Sequence, residues 1–472
     1  MRIGEMLSLV LRYAMFGCLA AVTVLLVFLA GYKFIYKNLM HGEGQLKARK
    51  AVWLFIFVIY AAVLLGATFF SRDAFYSGSR LVPLFASYRE AWFLGRLSNF
   101  KNIAVNILLF MPFGFLIPLG IVRMRSFLKT GLVGLGVTLF IELVQTVTGL
   151  GIFECDDILN NLVGTMIGYG FFVLAFRIFG KEERKKNAFE IFICQLPLIL
   201  TIVAFATIFI VYESRELGNL AIHYVTKIPK EQFEIISEIQ PEKDAGKAYV
   251  YQVKEYSLAE TGELAKKIFE KTGGVINENA TDIYESTVFY EGSGKHISIE
   301  YKGGAYEYLD WDAILPKAEQ QPAMKTDATR EEIENALLRL DIRIPQGSTF
   351  KNTRDGQYYF YSDRLETDGV TYDGFLNCEC MADGSIGRVS NRIYECSAYK
   401  EYDIISEQQA LEKLKSGEFL FYTAEDGKVV FTVHDIYLKY LTDSKSFYQP
   451  VYNFEVTAEG GNYNLMVPAL KE

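Results

Sequence analysis

The sequence predicts an α-helical polytopic membrane domain of about six transmembrane helices, followed by a soluble α+β extracytoplasmic domain. Three observations predict it. Apolar windows of bilayer length crowd before Tyr212, helix and strand periodicities alternate after it, and the net charge changes sign there.

The apolar windows come first along the chain. Stretches of about 20 apolar residues, enough to cross a hydrocarbon core, run from Met6 to Tyr32, Ala51 to Phe70, Ile103 to Val122, Gly131 to Thr148, Ile158 to Phe179 and Ile191 to Tyr212. The first has no short apolar core followed by a cleavage site, since Leu25 to Tyr36 stays apolar and aromatic up to a basic loop, so it reads as a retained anchor. Residues 1–70 then hold helices one and two, 71–180 a core of helices three to five, and 181–212 the sixth helix. Pro112 and Gly114 interrupt the third window and predict a kink there. Gly164 and Gly168 have the small-xxx-small spacing of a close helix crossing.

Lys and Arg set the expected orientation. Lys33, Lys37, Lys47, Arg49 and Lys50 follow the first window. Arg123, Arg125 and Lys129 follow the third, and Arg177, Lys181, Arg184, Lys185 and Lys186 the fifth. Those loops are expected on the cytoplasmic side, and everything after Tyr212 outside. The Ser71 to Lys101 loop goes against the pattern with Arg72, Arg80, Arg89, Arg96 and Lys101.

Beyond Tyr212, helical periodicity marks Leu258 to Lys271, Thr329 to Leu340 and Ser406 to Lys415. The last two open with the capping-box spacings Thr329/Glu332 and Ser406/Gln409. Strand patterns cover Gln357 to Arg364, Gly387 to Tyr394, Val429 to Leu441 and Ser446 to Val456. Residues 213–472 therefore form an α+β domain, divided into sub-modules 213–325 and 326–472. Its net charge is −17, against +9 for residues 1–212. An acidic surface repels nucleic acid and anionic lipid, so nucleic acid is not an expected partner. Six cysteines in a chain of this length are no disulfide framework, and the spacing of Cys378, Cys380 and Cys396 leaves their pairing open.

The candidate functional residues are the polar groups inside the apolar windows. A charged group at hydrocarbon depth costs about 2.5–3.5 kcal/mol on insertion scales, so it is buried among helices or used. Asn106 lies in the third window, Glu142 and Gln145 share a face of the fourth, and Glu154, Asp156, Asp157 and Asn161 open the fifth. Glu142 sits about six residues, roughly 9 Å, from the end of its helix. With the orientation above, all of these groups fall in the outer half of the bilayer. The inner halves offer no polar path, which disfavours transport. A cavity lined by Asn106, Glu142, Gln145 and Asn161 suits a lipid headgroup or its phosphate-sugar extension. Each residue also has a plainer role open to it. Asp156 or Asp157 suits an N-cap, Gln145 and Asn161 suit interhelical hydrogen bonds, and Glu142 needs a partner such as Gln145, Asn106, Arg80 or a cation.

Together these residues resemble the VanZ-like family of bacterial membrane proteins, from about Phe75 to Gly170. The likeness is carried by Asn-x5-Pro-x-Gly at Asn106, Pro112 and Gly114, by Glu-x-x-Gln at Glu142 and Gln145, and by the acidic run from Glu154 through Asn161 to Gly164. The chain departs from the family's usual pattern at Gly151, where members carry Arg, and at Glu154, where they carry Asp. The resemblance implies a polytopic envelope protein. The family's founding member is associated with low-level resistance to teicoplanin. Residues from Ile405 through Val456 also resemble PepSY-type regulatory modules, which implies a binding or sensing role for the tail.

Three functions follow. The first, in line with the resemblance, is a non-enzymatic membrane protein that modulates susceptibility to teicoplanin-type glycopeptides. It engages membrane lipids, such as a lipid-linked peptidoglycan precursor, or changes antibiotic access to it, with the tail as a binding module and no cofactor. The second is a metal-assisted hydrolase of a lipid pyrophosphate, with Glu154, Asp156 and Asp157 on Mg²⁺ or Mn²⁺ and Glu142 as acid or base. The third is an envelope sensor that uses the acidic tail.

Overall fold

The computed structural model describes residues 22–23, 26, 48–70, 81–179, 187–221, 233–315, 323–367, 369–419 and 428–471. Most of the first apolar window lies outside the described residues. The other five windows form helices long and apolar enough to cross a membrane, and contacts divide the chain at Arg215 into a helical unit and a sheet-rich unit.

In the helical unit, α1 spans Ala48–Leu65 and continues into a π turn over Gly66–Phe70. Part of the expected Ser71 to Lys101 loop is itself helical, because α2 occupies Ala86–Leu94. The third window begins earlier than its hydropathy suggests, with α3 at Leu97–Gly120, followed by α4 at Phe127–Thr148, α5 at Cys155–Phe179 and α6 at Ala188–Ser214. Gly149 ends α4 in the left-handed region, φ 70°, where its N–H reaches the Gln145 and Thr146 carbonyls. A short parallel pair joins β1, Leu81–Val82, to β2, Phe153–Glu154.

No break in the helix falls at Pro112 or Gly114. α3 runs unbroken through Pro112 and Pro118. Helix α1 packs beside it: Trp53 Nε1 donates to the Leu116 carbonyl at 2.8 Å and the Tyr60 hydroxyl to the Leu109 carbonyl at 3.1 Å. Both bonds tie α3 to α1 on either side of Pro112. Glycines then bring α3 against α5. A Cβ at Gly114 would collide with the Thr165 carbonyl, one at Gly164 with the Ile107 carbonyl, and one at Gly168 with the Met111 carbonyl.

The sheet-rich unit holds one sheet of thirteen strands among the described residues. They are β3 Phe233–Ser237, β4 Lys247–Val253, β5 Asp282–Ile283, β6 Thr287–Gly292, β7 Lys295–Glu300, β8 Tyr306–Asp310, β9 Thr349–Asn352, β10 Gln357–Thr367, β11 Val370–Cys380, β12 Ile386–Asp403, β13 Val429–Thr442, β14 Phe447–Ala458 and β15 Gly461–Pro468. The main path runs β3-β13-β14-β4-β12-β8-β7-β6-β5. Its helices are α7 Leu258–Lys271, the single turn α8 Trp311–Ile314, α9 Arg330–Arg339 and α10 Glu407–Lys415. The capping boxes Thr329/Glu332 and Ser406/Gln409 form as their spacing predicts, and Ser257/Glu260 adds a third.

Two apolar cores lie against this sheet. One gathers Phe269, Ile297, Ile333, Tyr358 and Leu376, and the other Phe233, Leu411, Phe431, Phe454 and Val467. Strand β12 pairs with β11 and β8 along its first half and with β4 along its second. Cys378, Cys380 and Cys396 are buried and unpaired. Burial pushes the thiols of Cys378 and Cys396 up to about 12.

Candidate functional site

The polar residues of the membrane helices meet at one end of the α3–α4–α5 bundle. Chain direction explains why. α4 and α5 form a helical hairpin closed by residues 149–154, so the last turns of α4 face the first turns of α5, and α3 crosses α5 through its glycines.

The groups link in sequence across the helices. The Asn106 amide on α3 donates to the Asp157 carboxylate on α5. One turn further along α5, Asn161 Nδ2 donates to Thr138 Oγ1 on α4 at 2.9 Å. One turn beyond Thr138 on the same buried face is Glu142, whose carboxylate accepts the Glu154 N–H at 3.0 Å. Gln145, three residues further, donates to the Thr68 carbonyl at 2.8 Å and so ties the middle of the π turn to α4. Glu142 and Gln145 are each 2% exposed. Asn106, Glu154 and Asp157 are half-buried and form the accessible side of this seam.

Asp156 is turned elsewhere. Its carboxylate accepts the N–H of Phe85 at 2.5 Å and of Ser87 at 2.8 Å, so it caps α2, about seventy residues earlier in the chain, rather than its own helix. The Tyr88 hydroxyl donates to Asn160 at 2.5 Å beside it, and burial together with the Asp156 charge pushes that phenol up to about 12. Glu154, Asp156 and Asp157 are thus not gathered on a common point. Among the described residues, no three His, Cys, Asp or Glu side chains are placed to hold a metal ion.

Gly114 and Gly164 shape the α3–α5 crossing, Pro112 lies exposed on α3, and none of the three contributes a polar group to the seam. Thr68, Thr138, Tyr88 and Asn160 belong to the network and were not singled out by sequence. The spacing of Thr138, four residues before Glu142, is the one signal that places any of them on a marked face.

In the sheet-rich unit a cavity of about 630 Å³ opens between α7 and β6, with Lys266, Phe269, Val275 and Tyr290 on its walls. His296 lies 3.3 Å from Glu291, and His434 bonds Glu238 and Thr457.

With this geometry in place, the helical unit can be compared with known proteins. Residues 57–177 match the VanZ/LLP1 family model. This segment is VanZ-like. It takes in α1 from Phe57 through nearly all of α5, and with them every residue of the polar seam. Apolar helices and family together make the chain a multi-pass membrane protein.

None of the curated proteins matches the chain. Solved structures similar to it include the following two. One is an uncharacterized protein from Eubacterium rectale ATCC 33656, at 15% identity and TM-score 0.27, covering 50% of this chain and 87% of that one. The other is the YpeB C-terminal domain of Bacillus megaterium, at 14% identity and TM-score 0.20, covering 46% and 100%.

Proposed function

We propose that this protein modulates susceptibility to glycopeptide antibiotics of the teicoplanin type by engaging a lipid-linked envelope component at the polar seam of its VanZ-like segment. The observation that carries the reading is the seam itself. Asn106, Asp157, Asn161, Glu142 and Gln145 come from three different apolar helices, yet they meet at one end of the bundle. Burying so many polar groups in segments of this hydropathy is expensive, which is the usual mark of a functional site in a membrane protein. The Lys and Arg distribution favours the outer leaflet for that end, the side on which peptidoglycan precursors meet glycopeptides. The same distribution puts the sheet-rich unit outside the cell, where its cavity serves as a binding module.

The mechanism asks for no turnover. A bound lipid headgroup would be shielded from, or presented differently to, a drug that recognises it. Cells that express the chain are expected to tolerate teicoplanin better than cells without it. Asp157→Asn and Asn161→Ala are expected to remove that tolerance at unchanged membrane level, measured by susceptibility to teicoplanin and vancomycin beside an immunoblot. Tolerance that is absent in the parent, or unchanged in both variants, would refute the proposal.

A further inference from the structure

We infer that the seam takes a hydroxyl-rich headgroup, a sugar or polyol carried on a lipid, and holds it through the ligand's hydrogen-bond donors rather than its phosphate. This rests on the lipid-headgroup reading above and names the chemistry of the ligand. Two atoms carry it. Among the described residues, Gln145 Oε1 and Asn161 Oδ1 have no hydrogen-bond partner, although their residues are 2% and 6% exposed. Buried polar atoms in folded proteins are paired with protein, water or ligand, so two orphans in one network mark a place where something else binds.

Both orphans are acceptors. Gln145 is oriented by its own Nε2, which donates to the Thr68 carbonyl, and Asn161 by its Nδ2, which donates to Thr138. Each amide oxygen is thereby left to accept. The residues one turn away on the same helices are Glu142 and Asp157, both carboxylates. A phosphate brings further acceptors to these two amide oxygens, whereas a hydroxyl brings the donor that they need.

Spacing argues against a single metal ion at both oxygens. Asn161 is bonded to Thr138, which lies seven residues from Gln145. The two amides therefore belong to levels about 10 Å apart on α4, while a cation such as Ca²⁺ holds its oxygens within about 2.3–2.6 Å. A headgroup of one or two sugar rings distributes several hydroxyls over that length. Entry is past Asn106, Glu154 and Asp157, the half-buried side of the seam.

The test is native mass spectrometry of the purified full chain with diglucosyl-diacylglycerol and with phosphatidic acid of the same acyl chains, at equal concentrations. The glycolipid is expected to be retained at least about fivefold better. Gln145→Met, which keeps the volume and removes the acceptor, should cut glycolipid retention by about five- to tenfold. Asn161→Leu should do the same, and it decides the point where Gln145→Met fails to fold. Retention unchanged in the folded variants overturns the role of these oxygens. Phosphatidic acid retained as well as or better than the glycolipid overturns the donor chemistry but leaves the lipid-headgroup reading standing. Retention of neither lipid overturns both.

Discussion

Replacing Asp156 by asparagine separates a structural clip from a functional acid. Asp156 is 0% exposed, and its two oxygens accept the N–H groups of Phe85 and Ser87. Asparagine keeps one oxygen and turns an NH₂ toward the other N–H, so one bond to a charged acceptor is lost and two donors are opposed. A hydrogen bond to a charged group contributes about 1.5–3 kcal/mol, and a lost N-cap costs about 0.5–2 kcal/mol. The expected loss is therefore about 2–3 kcal/mol. At about 2–4 °C per kcal/mol for a unit of some 200 residues, the apparent midpoint should fall by roughly 4–12 °C. Size-exclusion chromatography of the heated, detergent-extracted full chain reads this directly. Antibiotic tolerance per molecule in the membrane should be unchanged. A midpoint equal to the parent's, with tolerance lost, would refute the clip and return Asp156 to the functional site.

Three further outcomes follow from the structure. Gly164→Val should force α3 and α5 apart at the Ile107 carbonyl, costing at least the ~1–3 kcal/mol typical of overpacking, and should show as a lower melting midpoint in the same assay; an unchanged midpoint would contradict the close crossing. Glu332, held down to about 2 by Lys325 and the Thr329 cap, stabilises the sheet-rich unit above its unfolded value of 4.5, and that contribution is lost as pH falls through about 2. The stability difference between the parent and Glu332→Gln should therefore be present at pH 7 and vanish near pH 2; a difference that grows on acidification would reverse the sign of the argument. Cys378 and Cys396, with thiols near 12, should resist iodoacetamide at pH 8 in the folded chain and label only in denaturant, as peptide mass spectrometry would show.

Local signals made much of this fold legible, and distant contacts account for what they missed. Five apolar windows became helices because bilayer length and hydropathy are properties of a continuous stretch. Leu97 to Asn102 was missed as the start of α3 because Asn99, Lys101 and Asn102 lower the hydropathy there. The capping boxes at Thr329 and Ser406 formed because both partners lie within one turn. Helix α2 was hidden because its cap, Asp156, lies some seventy residues away. In the polar seam, residue type alone marked Asn106, Glu142, Gln145, Asp157 and Asn161. The Asn106–Asp157 bond and the orphaned oxygens of Gln145 and Asn161 needed the tertiary structure.

The most direct test of the account is teicoplanin susceptibility of cells carrying Glu142→Gln at a membrane level matched to the parent. The substitution keeps the shape of the side chain and an oxygen for the Glu154 N–H, and removes only the charge. The account predicts that tolerance falls to that of cells lacking the protein. Full tolerance in the variant would contradict it.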